Sequence, residues 1–221
     1  LGGALWYMPS DKTTLKATYQ FLDEAHRGGD SLNLPEEKAR VAESLAHEIH
    51  TTGLTWDQQV NESFDFSLFG SYSYIKRDSF YGARGGAEET AYEEKTTDNG
   101  ENVTDLFISN NQSLIDKVAA RNWSVTDNDV YYLDAQFNHY TDNHIISYGA
   151  QYRYEALEDE TPNNPDSPAT SDDFANIGFY VQDQWQITDM LEVVPGVRLD
   201  KHDNVDGVIF SPRIASRLEL T

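Results

Sequence analysis

Carboxylates are the residues through which this chain is best equipped to do chemistry. Asp and Glu number 38 against 16 Lys and Arg, for a formal net charge of -22. The acids bunch into two runs: Glu88, Glu89, Glu93, Glu94, Asp98 and Glu101, then Glu158, Asp159, Glu160, Asp172 and Asp173. Carboxylate oxygens are the hard ligands that calcium prefers, so cation capture is the chemistry on offer. The spacing completes no calcium-loop motif, and a solvated acidic surface is the simpler expectation. Histidines His47 and His50 would share a metal only on a helix, whereas residues 49–56 read as strand. His139 and His144 flank a turn, so no metal site is expected. The absence of cysteine excludes disulfides, thiolate zinc sites and a cysteine nucleophile. No nucleophile elbow, phosphate loop or zinc motif occurs, so neither a catalytic residue nor a cofactor is expected. The negative charge excludes nucleic acid, which needs a basic patch.

A second charged set is spaced differently. Lys16, Asp65, Asp134, Arg153, Arg198, Asp200, Arg213 and Arg217 each stand in a segment that alternates apolar with polar. Between Thr14 and Leu22, residues Leu15, Ala17, Tyr19 and Phe21 fall on one side, and Thr14, Lys16, Thr18 and Gln20 on the other. Strand side chains alternate between faces, so one face is aromatic and apolar and the other wet. Such segments, joined alternately by very short and very long links, are the signature of an outer-membrane β-barrel. No run of 18 apolar residues exists, which excludes a membrane-spanning helix but not a barrel. The aromatics, 12% of a chain with a mean hydropathy of -0.63, suit interfacial girdles.

The elements that must position these residues follow from the alternation. Strands are expected at about 2–9, 13–23, 48–59, 64–74, 129–139, 145–156, 175–187, 191–201 and 208–220, all antiparallel neighbours. Tight turns are expected at 9–12, 60–62, 140–143 and 188–190. The long links span about 23–46, with a helical patch over residues 35–47, 80–127, with a short helix inside 104–120, and 158–173. The expected fold is all-β: an antiparallel transmembrane barrel segment of about eight or nine strands with long extracellular loops. Its charged set would line the lumen. Phe64, Phe66, Leu68, Tyr72, Tyr148, Tyr152, Phe179, Val181 and Trp185 would face lipid. Asp183 breaks the rule, and would have to lie near an interface or bend inward at a bulge. Arg198 and Arg213 could pair with Asp200. Among the acids of the longest link, Tyr92, Phe107 and Trp123 are the candidates for stacking on or enclosing a ligand.

Particular stretches carry a resemblance. Residues 178–185 (GFYVQDQW), 197–202 (VRLDKH) and 210–213 (FSPR), with 27–30 (RGGD) and 78–82 (DSFYG), are similar to the TonB-dependent receptor family, closest to receptors of Bacteroidota-type bacteria. The similarity spans about residues 10–220, with gaps in the loops, and residues 200–213 are its most specific part. The resemblance implies a 22-stranded barrel around an N-terminal plug, of which residues 1–221 would be a middle third without plug or TonB box. It also implies ferric siderophores, haem, cobalamin or oligosaccharides as substrates, no covalent chemistry, TonB as a partner through the absent plug, and residence in the outer membrane of a Gram-negative bacterium as a monomeric barrel. Two other readings stay open: a small porin or adhesin barrel, and an outer-membrane hydrolase.

Overall fold

The computed structural model describes residues 1–96, 111–164 and 166–219, without the side chains of residues 85 and 92–96. Nine strands form one sheet in strict chain order. They are β1 (Gly2–Ser10), β2 (Thr13–Gly29), β3 (Ala42–Asn61), β4 (Phe64–Gly82), β5 (Trp123–Tyr140), β6 (His144–Glu160), β7 (Thr170–Thr188), β8 (Leu191–His202) and β9 (Ile209–Leu218). Every pairing is antiparallel. The meander sends its short turns to one end and its long links to the other. Among the described residues of the link between β4 and β5 stand two helices, α1 (Arg84–Thr96) and α2 (Gln112–Ala119).

Several strands run well past the sequence-derived bounds. β3 has 20 residues and β4 has 19. The helical patch expected over residues 35–47 is absent. A single 3-10 turn, Glu36–Lys38, stands there, and β3 already begins at Ala42. Helix-favouring Ala, Glu and Lys lose here to an unbroken ladder between β2 and β3 that reaches Gly29 and Ala42. The longest link accordingly shrinks to residues 83–122, and the proline-bearing one to 161–169.

Directly paired residues share a face, so the register lays rows across the sheet. One row reads Tyr7, Leu15, Trp56, Leu68, Ala135, Ala150, Phe179, Leu199, Phe210. The next, shifted by one residue, reads Trp6, Lys16, Thr55, Phe69, Asp134, Gln151, Gly178, Asp200, Ile209. The first lies on an apolar face and the second on a polar one.

Rings on the apolar face gather in two bands. Near the short turns, Trp56 meets Phe66 edge-on at 5.3 Å, Phe137 stacks on Tyr148 at 5.5 Å, and His144 stacks on Trp185 at 5.5 Å. Toward the long links, Tyr19, Tyr72, Tyr131 and Tyr154 share one row. Three tyrosine hydroxyls in this upper band donate to carboxylates: Tyr72 to Asp129 (2.5 Å), Tyr74 to Asp127 (2.5 Å) and Tyr154 to Asp173 (3.2 Å). An aromatic body with a wet tip suits a membrane–water boundary. From Phe64 to Tyr74, at about 3.3 Å per residue in strands tilted about 40°, the band stands about 25 Å tall, the height of a bilayer-facing belt. Asp183 stays on this face. The β6–β7 ladder passes through it without a bulge, and it sits beside the short-turn end, 2.8 Å from His144 Nδ1.

Candidate functional site

Four charged residues of the polar face, Asp65, Asp134, Arg198 and Asp200, sit in two hydrogen-bonded networks. The first starts at β4, where Asp65 accepts from Asn138 Nδ2 (2.7 Å) and from the Tyr140 hydroxyl (2.7 Å). Asn138 Oδ1 in turn accepts from Ser147 (2.7 Å) and from Gln136 Nε2 (3.2 Å), and Tyr180 donates to Gln136 (3.3 Å). The second network runs from Asp134, which accepts from Gln151 Nε2 (2.5 Å) and Tyr132 (3.2 Å). Gln151 Oε1 accepts from Arg198 Nη1 at 2.6 Å, and Arg198 Nε and Nη2 grip both oxygens of Asp200 at 2.7–3.0 Å. Arg198 therefore spans from β8 to β6. It can do so because Gly178 on the intervening β7 leaves room, and a Cβ there would stand 2.6 Å from Asp200 Oδ1.

The other charged residues of the expected set lie on the same face by register. Lys16 holds its ammonium 5.5 Å from the Trp6 ring centroid. Arg153 pairs with Glu155 at 2.5 Å. Arg217 reaches Glu192 at 3.6 Å, a carboxylate only 8% exposed that also accepts from Gln184 at 2.7 Å. Arg213 rests across Gly196, where a Cβ would meet its Nε at 3.2 Å. It borders a cavity of about 430 Å³ shared with Gln151, Tyr180, Gln182, Arg198 and Ser211. The period of two that groups the charges also places their uncharged connectors, Gln136, Asn138 and Gln151, on the same face, since each alternates with a residue of the apolar rows; their hydrogen bonds could not be read from it.

At the end with the long links, the two helices pack against each other. Ala87 and Ala91 of α1 bury against Ile115, Val118 and Ala119 of α2. Arg84 ties the pair through Glu88 (3.1 Å) and Asp116 (3.3 Å). Of the three ligand candidates, Tyr92 falls on α1, with its side chain outside the described residues, and Phe107 lies outside them altogether. Trp123 opens β5. Its ring lies 5.2 Å from that of Phe80 and packs on the cluster of Ala39, Ala42 and Phe80. Counted by twos along β4 and β5, Phe80 and Trp123 belong to the apolar face, so this tryptophan fastens the loop base on the flank opposite the polar networks.

Below that end, Asp30 closes the β2–β3 link by accepting from Arg40 Nε (2.9 Å) and the Val41 amide (3.1 Å). The Arg40 guanidinium, followed by the Val41 amide, holds the Asp30 carboxyl below the usual carboxylate range.

Comparison with known proteins matches this architecture. A family model described as TonB dependent receptor-like, beta-barrel covers residues 4–221. A protein described as iron-regulated outer membrane virulence protein, from two Vibrio cholerae serotype O1 strains, is 35% identical over 71 residues, 32% of this chain and 11% of that protein. Among solved structures, the outer membrane transporter YddB from Escherichia coli aligns over 97% of this chain and 28% of its own, at 11% identity and a TM-score of 0.65. The siderophore receptor PirA from Pseudomonas aeruginosa aligns over 99% of this chain and 30% of its own, at 14% identity and a TM-score of 0.62. The chain thus spans less than a third of the length of either solved relative.

Proposed function

This chain belongs to the TonB-dependent receptor-like β-barrel family, and from that membership we propose that it forms part of the wall of a receptor that takes up a ferric siderophore, haem or a cobalamin-type nutrient. The family resides in the outer membrane of Gram-negative bacteria and transports rather than catalyses. The finer reading is a Bacteroidota-type receptor whose barrel has about 22 strands, with residues 1–221 as a single mid-barrel stretch. The plug and the TonB-coupling segment belong to other parts of the same protein, and the whole barrel works as a monomer. The apolar face meets lipid and the polar face lines the lumen. Lys16, Asp65, Asp134, Arg153, Arg198, Asp200, Arg213 and Arg217 line that lumen and meet the plug or a passing ligand. Tyr92 and Phe107 contact ligand from the link between β4 and β5, with Trp123 at its base.

The observation that carries this reading is sidedness. All the long links leave from one end of a sheet with an apolar, girdled face on one side and hydrogen-bonded polar networks on the other. Such a wall suits a lumen that holds another folded element, because Arg198, Arg213 and Tyr180 lie flat along it over glycines of the neighbouring strands. One relative is described as iron-regulated and another as a siderophore receptor, which supports the siderophore among these nutrients.

The test is growth of a strain deleted for the gene with ferric siderophores, haem or cobalamin each as the limiting nutrient. Loss of growth on one of them, restored by the intact gene, is the expected result. Growth equal to the parent on all three overturns the proposal.

A further inference from the structure

We propose that Asp183, with His144 and Trp185, holds the primary ammonium headgroup of a phosphatidylethanolamine-type lipid at the short-turn edge of the apolar face. This rests on the reading that the apolar face meets lipid. Asp183 is the carboxylate that breaks the alternation of β7. By register it stands in the row of Phe64, His139 and Ile146, the lowest of the apolar band. A row at the edge of the band lies where hydrocarbon gives way to headgroups, so a charge there meets headgroups rather than acyl chains.

The protein supplies this carboxylate with a single donor. His144 Nδ1–H donates to Asp183 Oδ2 at 2.8 Å, while Asp183 Oδ1 is buried and has no hydrogen-bond partner. Among the described residues, His144 is the one basic side chain within ion-pair reach of Asp183. On the β8 side, the flanking pairs Gln182–Gly196 and Trp185–Val193 put Pro195 opposite Asp183, and the β7–β8 pairing lapses between them. Proline has no N–H, so the Asp183 main-chain carbonyl loses its ladder donor as well. On the β6 side, Ile146 offers only hydrocarbon. A spot so rich in acceptors and poor in donors is costly at an apolar boundary until a cationic donor joins it.

The approach is open from the lipid side. The Asp183 side chain is 30% exposed although Oδ1 is covered, so its exposure falls on the rest of the carboxylate and the β-carbon. An ammonium arriving along that edge leaves the His144 contact in place. It also comes beside Trp185, whose indole stacks on the His144 ring at 5.5 Å and is itself 41% exposed. A cation within about 6 Å of an indole centroid is attracted by the face of the ring. A primary ammonium brings both a charge and N–H donors, the combination that makes the stronger hydrogen bonds to a carboxylate. A trimethylammonium headgroup has the charge without an N–H to donate, and a phosphoglycerol headgroup has no cation at all.

Native mass spectrometry of the full-length receptor tests this, with the protein incubated in detergent micelles with one lipid at a time. The lipids share their acyl chains and carry phosphatidylethanolamine, phosphatidylcholine or phosphatidylglycerol headgroups. The parent is expected to retain phosphatidylethanolamine about five-fold more strongly than either of the others. Asp183→Asn keeps the shape of the side chain and removes a charge from the lipid face, so it should assemble and lose that preference. Asp189→Asn, in the exposed turn after β7, should keep it. Equal retention of the three lipids by the parent, or an unchanged preference in Asp183→Asn, overturns the proposal. Loss of the preference in Asp189→Asn also overturns it, by assigning the effect to general surface charge. Vesicles with brominated acyl chains separate these outcomes from failure of the lipid-facing reading. Quenching of the Trp185 emission, taken as the part lost in Trp185→Phe, is expected with every headgroup, and its absence overturns that reading too.

Discussion

Tyr180 lies across Gly149, the residue paired with it on β6, so that the phenol occupies the space where a side chain at 149 would stand. A Cβ built on Gly149 sits 2.6 Å from the Tyr180 hydroxyl oxygen and also meets the main-chain oxygen of Ala135. Arg198 over Gly178 and Arg213 over Gly196 repeat the arrangement. Each large side chain lies flat along the wall rather than projecting from it.

The Gly149→Ala variant is therefore expected to lose about 1–3 kcal/mol of stability, the usual cost of overpacking. The urea midpoint of the barrel in micelles measures it. Adding Tyr180→Ala should recover only part of the loss, because the Ala135 carbonyl cannot step aside. Full recovery would assign the whole clash to the phenol.

On the apolar face, Leu68 is set mid-band, between Trp56 and Ala135. A Leu68→Arg variant should cost roughly 2–4 kcal/mol in a bilayer, as charges do at the midplane of a barrel's lipid face. Equal stability of variant and parent in lipid vesicles would show that this face does not meet hydrocarbon.

The Asp30–Arg40 clasp sets a pH dependence in the β2–β3 link. Asp30 has a carboxyl held lower in the folded state than its ordinary value of 3.8. A depressed carboxyl contributes stability that is complete above its unfolded value and is lost as pH falls through the folded one. The link should resist pepsin above about pH 4 and become cleavable within residues 31–40 as acid protonates Asp30. Asp30→Asn should make it cleavable throughout. A variant that keeps the parent's pH profile would assign the profile to another group.

Removing residues 84–121 and joining the ends with a short linker should leave the sheet assembled. Phe80 and Trp123 are already paired across β4 and β5, and the two helices bury their apolar side chains chiefly on each other. Nutrient uptake and ligand affinity should fall. If both are unchanged, the link serves as an acidic cover and Tyr92 and Phe107 touch no ligand.

Much of this was legible in the sequence, and the physical reason is the period of two. A strand without bulges fixes the face of every residue from one of them, so Lys16, Asp134 and Arg198 could be grouped without knowing any pairing. The alternation fades above the tyrosine row, where water bathes both sides. Asp127 and Asp129 alternate there with Thr126 and Asn128, which carries no apolar signal, so strand length was underestimated. Helical propensity misled at residues 35–47 for the same reason. The residues brought together by register, Arg198 with Gln151 or His47 with Glu24, were not legible, because nothing local encodes which residue of the next strand stands opposite.

The clasp of Phe80 and Trp123 makes the link above them a replaceable cassette. Its two ends are held at the spacing of adjacent strands, about 4.8 Å, whatever lies between them. Doubling the length of a flexible segment between fixed ends costs only about 0.6 kcal/mol. Evolution can thus exchange one loop for another of different length and composition while the wall beneath keeps its register. An engineer could graft a foreign binding segment at the same seam.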